Sequence, residues 1–280
     1  MSSSEQPPQP PSSINPTTGS SNSNKSNDLT VGIIGGMGPQ ATVSFLQLLI
    51  SLTHELTSAR TDQDHVKYIL VNDPTIPNRQ SALLSSSPSS LETTGLHISH
   101  ACALIPPSCD FCICICNTAH AFYPYFTRPL SLHRTPFLSL ITVTSRRVIE
   151  LSDETTKVAI LAATGCVKSE LYQNELSRLG GRPPYILPGS LQETAMLSIN
   201  QTKAGEIDEA CRTLGPLLRF LREEEEVEMV VLGCTEFPVI VESLGEDVPE
   251  GIRFVDSTMV MAEMTVKLCK GLIKLEDVME

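Results

Sequence analysis

Short apolar runs of strand length alternate with stretches of helical periodicity between residues 31 and 255, and this alternation limits the fold more than any other feature of the chain. The runs fall at 31–35, 66–72, 111–115, 137–140, 158–162, 185–187, 229–232 and 252–255. Helical patterns lie between them, among them 39–57, with Pro39 in the favoured first helical position, and 204–221. Strands alternating with helices predict βαβ units and a mainly parallel sheet, so the fold class is α/β. Two of the runs end in a cysteine. One leads into Cys116-Asn117-Thr118-Ala119-His120, the other into Gly233-Cys234-Thr235-Glu236. These two units sit at similar places in the two halves, which points to pseudo-symmetric domains. Ligands of open α/β sheets bind outside the carboxyl ends of the strands, so the two thiols are placed to face one another across one cleft.

Composition narrows the remaining choices. Residues 1–30 are rich in Ser, Pro and Asn and nearly free of aliphatic side chains, so a disordered tail is expected there. The segment has no apolar central stretch and only one basic residue, Lys25, and so reads as neither signal nor transit peptide. The cytoplasm is the expected location. Nine cysteines, an odd number, without a secretion signal read as reduced thiols and not as a disulfide framework. No apolar run approaches a membrane span, and a net charge of −12 with no basic stripe argues against a nucleic-acid or membrane partner. The rest of the chain divides into an expected first α/β domain, 31–135 plus 250–280, and a second, 136–249.

A cysteine at the start of a helix feels the positive end of the helix dipole, which favours its thiolate. Racemising an α-amino acid without a cofactor needs a base on one face of Cα and an acid on the other, and a facing thiolate and thiol supply both. Other readings compete. Free cysteines are often small core residues. Cys112, Cys114 and Cys116 share one face of their strand, and Cys109 with Cys112 forms a Cys-x-x-Cys, which raises a metal or redox site. That pair leads into a strand and has no second pair at zinc spacing, so Cys112 and Cys114 are assigned to the core. Gly36-Met37-Gly38-Pro39-Gln40-Ala41 fits a loose dinucleotide pattern and offers an NAD-dependent oxidoreductase as an alternative. Against it, the next strand ends at Asn72-Asp73, beyond the expected ribose acid, and Pro39 removes an amide. A non-catalytic amino-acid-binding or thiol-metal protein is the alternative from another class. His65 and His120 are read as structural, and residues 223–226 as a solvated helix end.

The stretches Gly32-Ile33-Ile34-Gly35-Gly36-Met37-Gly38-Pro39, Asp62-Gln63-Asp64-His65, Cys116-Asn117-Thr118-Ala119-His120 and Gly233-Cys234-Thr235-Glu236 together resemble the aspartate/glutamate racemase superfamily, in particular its aspartate racemase branch. The likeness covers about residues 31–271. It implies two flavodoxin-like three-layer domains with the active site between them, catalysis without pyridoxal phosphate or another cofactor, an amino acid substrate, and a homodimer. It also implies that Cys116 and Cys234 are the two bases. The substrate contacts expected with them are Met37, Gly38, Arg60, Asn72, Asn117, Thr118, Thr164, Lys168 and Thr235. Arg60 is the expected carboxylate ligand, since a guanidinium fork matches a carboxylate. The family's glutamate racemases normally carry histidine where this chain has Glu236. Relatives often carry lysine where this chain has Asn174, and Lys168 is the expected substitute.

Overall fold

A computed structural model describes residues 28–279 other than Ser86. The expected tail lies outside the described residues up to position 27. Its last three residues belong to the fold: the Leu29 N–H donates to the Cys269 carbonyl, Asp28 pairs with Lys270, and Thr30 opens the first strand.

The chain runs β1 (Thr30–Gly35), α1 (Pro39–Thr57), β2 (Lys67–Asn72), α2 (Arg79–Ser85), α3 (Pro88–Ala103), β3 (Phe111–Cys114), a 3₁₀ segment (Asn117–Phe122), α4 (Tyr123–Ser131), β4 (Phe137–Leu138) and α5 (Leu140–Leu151). It continues with β5 (Val158–Ala162), α6 (Thr164–Lys168), α7 (Leu171–Arg178), β6 (Tyr185–Ile186), α8 (Gly189–Lys203), α9 (Ile207–Glu223), β7 (Met229–Gly233), α10 (Phe237–Leu244), β8 (Arg253–Asp256), α11 (Ser257–Cys269) and α12 (Leu275–Met279). Every strand pairing is parallel. The sheets have strand orders β2-β1-β3-β4 and β6-β5-β7-β8. These are one order used twice, with β3 and β7 as equivalent strands.

The alternation of side chains along each strand sorts the core into three parts. Val31 and Ile33 of β1, Phe111 and Ile113 of β3, Ile160 of β5, and Met229 and Val231 of β7 enter one cluster shared by both sheets. The residues between them face outward. Cys112 and Cys114 join a cluster under α3 and α4, while Ala159, Leu161, Val230 and Leu232 join one under α8, α9 and α10. The shared cluster makes the two sheets one packing unit, which fixes the cleft at their carboxyl ends.

The sheet pairings move the expected domain limits. Phe137 and Leu138 pair with β3, so the first sheet extends past 135, and β8 pairs with β7, so residues 253–256 belong to the second sheet. The chain crosses back only after β8, where α11 packs on α1 and α5. The expected helix at 204–221 is α9, which begins at Ile207, and α8 precedes it with Gly205 at φ +82° in the connection. The loop expected at 73–79 gives way to helix from Arg79.

Gly36 follows β1 at φ +88°, and a Cβ there would lie 2.5 Å from the Asp73 carbonyl carbon. Gly36→Ala is therefore expected to destabilise the fold by at least about 1–3 kcal/mol, read as a lower denaturation midpoint, with unchanged stability as the contrary result.

Candidate active site

Both cysteines stand just beyond equivalent strands. Cys116 follows β3 by two residues and precedes the 3₁₀ segment, and Cys234 follows β7 directly and precedes α10. Both are half-buried free thiols, as is Cys211 on α9, whereas Cys102, Cys109, Cys112, Cys114, Cys166 and Cys269 are buried. Cys116 and Cys234 line one cavity of about 90 Å³. Met37, Asn117, Thr118 and Thr235 of the expected contacts share that cavity.

The other expected contacts stand elsewhere. Gly38 caps α1 and lies just outside the cavity lining. Thr164 opens α6, where its hydroxyl accepts from Gln192 Nε2 at 3.3 Å beside the lining residue Ala163. Arg60, Asn72 and Lys168 are exposed and do not line the cavity. The Arg60 N–H donates to Asp64 Oδ2 at 2.9 Å, inside the local Thr61 capping arrangement.

The cations that do line the cavity are Arg79 and Lys203, neither of them among the expected contacts. Arg79 opens α2, and three carbonyls hold its guanidinium: Met37 O at 2.9 Å from Nη2, and Ile76 O and Pro77 O each at 3.2 Å from Nη1. Its Nε is buried with no hydrogen-bond partner among the described residues. The only sequence signal for Arg79 was the turn-rich loop 73–79 that it ends. Lys203 ends α8, a helix not among the patterns read from the sequence, and nothing in the local sequence marks it.

A buried chain of hydrogen bonds sets the residue after Cys116. Tyr172 Oη donates to Asn117 Oδ1 at 2.5 Å, Asn117 Nδ2 donates to Ser257 Oγ at 3.0 Å, and the Ser257 hydroxyl donates to the Leu232 carbonyl at 2.9 Å. It ties the turn after β3 to α7, α11 and β7. Tyr172→Phe leaves the Asn117 carbonyl without this buried donor and is expected to cost about 1–3 kcal/mol in denaturant unfolding; an unchanged midpoint would contradict it.

His120 fixes the same turn from the other side. Its Nε2 accepts from the Leu140 N–H at 3.1 Å, so Nδ1 carries the proton and donates to the Cys116 carbonyl at 3.0 Å. With both nitrogens engaged, the ring is a structural clamp, and burial lowers its pKa to about 4. The unfolded chain then binds a proton near pH 6.5 that the folded chain refuses down to about 4. Stability is full above pH 6.5 and falls as pH drops through that window, by an amount on the order of 3 kcal/mol. His120→Gln is expected to flatten the slope of unfolding free energy between pH 6.5 and 4, and an unchanged slope would contradict this.

At Cys234 the polar partner is a carboxylate. The thiol donates to Glu236 Oε2 at 2.9 Å, Thr235 Oγ1 donates to the same oxygen at 3.1 Å, and Lys203 Nζ stands 3.6 Å from Glu236 Oε1. Burial and the adjoining carboxylate push the Cys234 thiol well above its ordinary range. Beyond the neighbouring strand β5, α6 comes close to the first half: a Cβ on Gly165 would lie 3.2 Å from Gln80 Cα and 3.3 Å from Thr118 Cγ2. The glycine turn also serves this cleft. Thr42 Oγ1 accepts from the Gly36 N–H at 2.9 Å, and Met37 forms part of the wall. Among the described residues no three His, Cys, Asp or Glu side chains are grouped to hold a metal ion, and no helix is long and apolar enough to cross a membrane.

Two parallel sheets of one strand order, with a thiol beyond the third-placed strand of each, bring both thiols to one cavity. The Asp/Glu/Hydantoin racemase family matches residues 34–265, and the chain belongs to that family. The aspartate racemase of Picrophilus torridus has a similar structure, with a TM-score of 0.67 and 31% identity over 86% of this chain and 94% of that one. A broad specificity amino-acid racemase of Bacillus subtilis is 23% identical over 84% of this chain and 96% of its own length. The glutamate racemase of Campylobacter jejuni shares the fold at a TM-score of 0.58 and 19% identity. Family and architecture make this chain an isomerase, an amino-acid racemase.

Proposed function

We propose that this protein interconverts the enantiomers of an acidic amino acid, aspartate before glutamate, by a two-base exchange at Cα between Cys116 and Cys234, without a cofactor. The observation that carries the reading is that the two thiols follow equivalent strands of two sheets of identical order and line one cavity. As the Cα proton leaves, negative charge spreads into the substrate carboxylate, so donors facing that group count most in the transition state. Arg79 is the leading donor. Its fork is held by three carbonyls and needs little reorganisation on binding. Thr118 and Thr235, beside the two cysteines, add hydroxyls to the same cavity.

A second cation decides for an acidic side chain. Asn174 supplies none and Lys168 is exposed, but Lys203 lines the cavity and offers a charge for the distal carboxylate. The absence of lysine at 174 favours one other reading, a racemase of wider range like the Bacillus subtilis relative. Incubating the purified protein with single L-amino acids and separating the products on a chiral phase tests the two. D-Aspartate as the main product is expected; racemisation of neutral amino acids with aspartate untouched would overturn the preference. In keeping with the superfamily, the active species is proposed to be a cytoplasmic homodimer, which sedimentation at assay concentration checks.

A further inference from the structure

The two thiols stand in unlike electrostatic surroundings. Cys234 donates to Glu236 Oε2 at 2.9 Å, and the carboxylate is held on that side by Thr235 Oγ1 at 3.1 Å and on the other by Lys203. Cys116 is bonded through its carbonyl to a neutral His120, and among the described residues no carboxylate is hydrogen-bonded to its thiol. The remaining groups on the cavity wall that carry charge are Arg79 and Lys203, and neither is hydrogen-bonded to either sulfur.

We infer that Glu236 is a positioning residue that holds the catalytic proton on Cys234 in the resting enzyme, so that turnover from rest starts with Cys116 as proton acceptor and Cys234 as donor. This rests on the two-cysteine reading above. From rest, the Cα–H bond breaks, its proton passes to the Cys116 sulfur and its electron pair stays on Cα. A new bond then forms on the opposite face with the Cys234 proton, and the broken S–H bond leaves a Cys234 thiolate. That state places a thiolate against a carboxylate, and their repulsion favours return of a solvent proton to Cys234 as Cys116 releases its own. Lys203 moderates the hold, because pairing with Glu236 weakens the field that the carboxylate exerts on the thiol. The upward displacement of the Cys234 thiol by burial and Glu236 agrees with this arrangement.

The rate of alkylation by iodoacetamide at fixed pH values between 5.5 and 10, followed separately at Cys116 and Cys234 by peptide mass spectrometry and read as a shift of the midpoint, tests the inference in the full-length protein. Glu236→Gln is expected to lower the Cys234 midpoint by at least about one pH unit, which is about a tenfold faster reaction at a fixed pH below both midpoints. Glu236→Asp is expected to restore part of the difference. Lys203→Met, on a half-exposed side chain, is expected to raise the midpoint, and this variant stands if Glu236→Gln folds poorly. Cys116 should stay within about twofold in all three. A Cys234 midpoint unmoved in Glu236→Gln, or lowered in Lys203→Met, would overturn the inference. An unmoved midpoint in a protein whose wild type racemises overturns this inference alone. A moved midpoint in a wild type that racemises no amino acid supports the proton placement and removes the two-cysteine reading.

Discussion

Cys116→Ala and Cys234→Ala are each expected to lower racemisation by about 10²–10⁴-fold or more, because each removes the only general acid–base group proposed for one face of Cα. The losses should not add in the double variant, since the two groups act as one unit. Stability should change little in either single variant, as both side chains are half-buried. Cys114→Ala supplies the contrast. That thiol lies two positions earlier on the same face of the chain but is fully buried in the outer cluster. Its loss should cost about 1 kcal/mol of stability with racemisation retained in the folded fraction. Chiral chromatography of initial rates beside denaturant unfolding separates these outcomes. Full activity in either cavity-cysteine variant would remove the two-base mechanism.

Arg79→Met is expected to reduce kcat/KM for aspartate by roughly 30- to 150-fold, which corresponds to the loss of about 2–3 kcal/mol from charge-assisted hydrogen bonds to the substrate carboxylate. Two effects contribute. The cavity loses a cation, and the Ile76, Pro77 and Met37 carbonyls lose the donor that holds the loop before α2 against the glycine turn. Arg79→Lys keeps the charge but not the fork, and should recover only part of the activity. Arg60→Met should leave kcat/KM within about twofold, because Arg60 is exposed and outside the cavity lining. Loss of activity in Arg60→Met with none in Arg79→Met would reverse the assignment of the carboxylate ligand.

The parts of this molecule that sequence reveals are those governed by local periodicity. The strands could be placed because apolar runs of three to seven residues between turn signals have few other uses, and the cysteines at two strand ends could be placed with them. The alternation of Cys112, Cys114 and Cys116 along one face held because β3 continues as extended chain to the turn. Long-range pairing left no such mark. Nothing local to residues 253–256 shows that β8 joins β7 while α11 returns to pack on α1. The cavity cations were missed for the same reason. Arg60 lies beside a recognisable motif but outside the cavity, whereas Arg79 and Lys203 reach it through the ends of α2 and α8, whose placement is decided by tertiary packing. Glu236 was visible as a departure from the histidine of glutamate racemases, but its contact with the neighbouring thiol depends on side-chain geometry that spacing does not encode.

The measurement that bears most directly on the two-cysteine account is proton NMR of L-aspartate incubated with the pyridoxal-free protein in deuterium oxide under reducing conditions, followed by chiral separation. The account predicts that the Cα proton signal decays as D-aspartate accumulates, with deuterium at Cα of the inverted product. Exchange without inversion would show that only one thiol works on the substrate, and D-aspartate that retains its Cα proton would contradict proton transfer between opposed thiols.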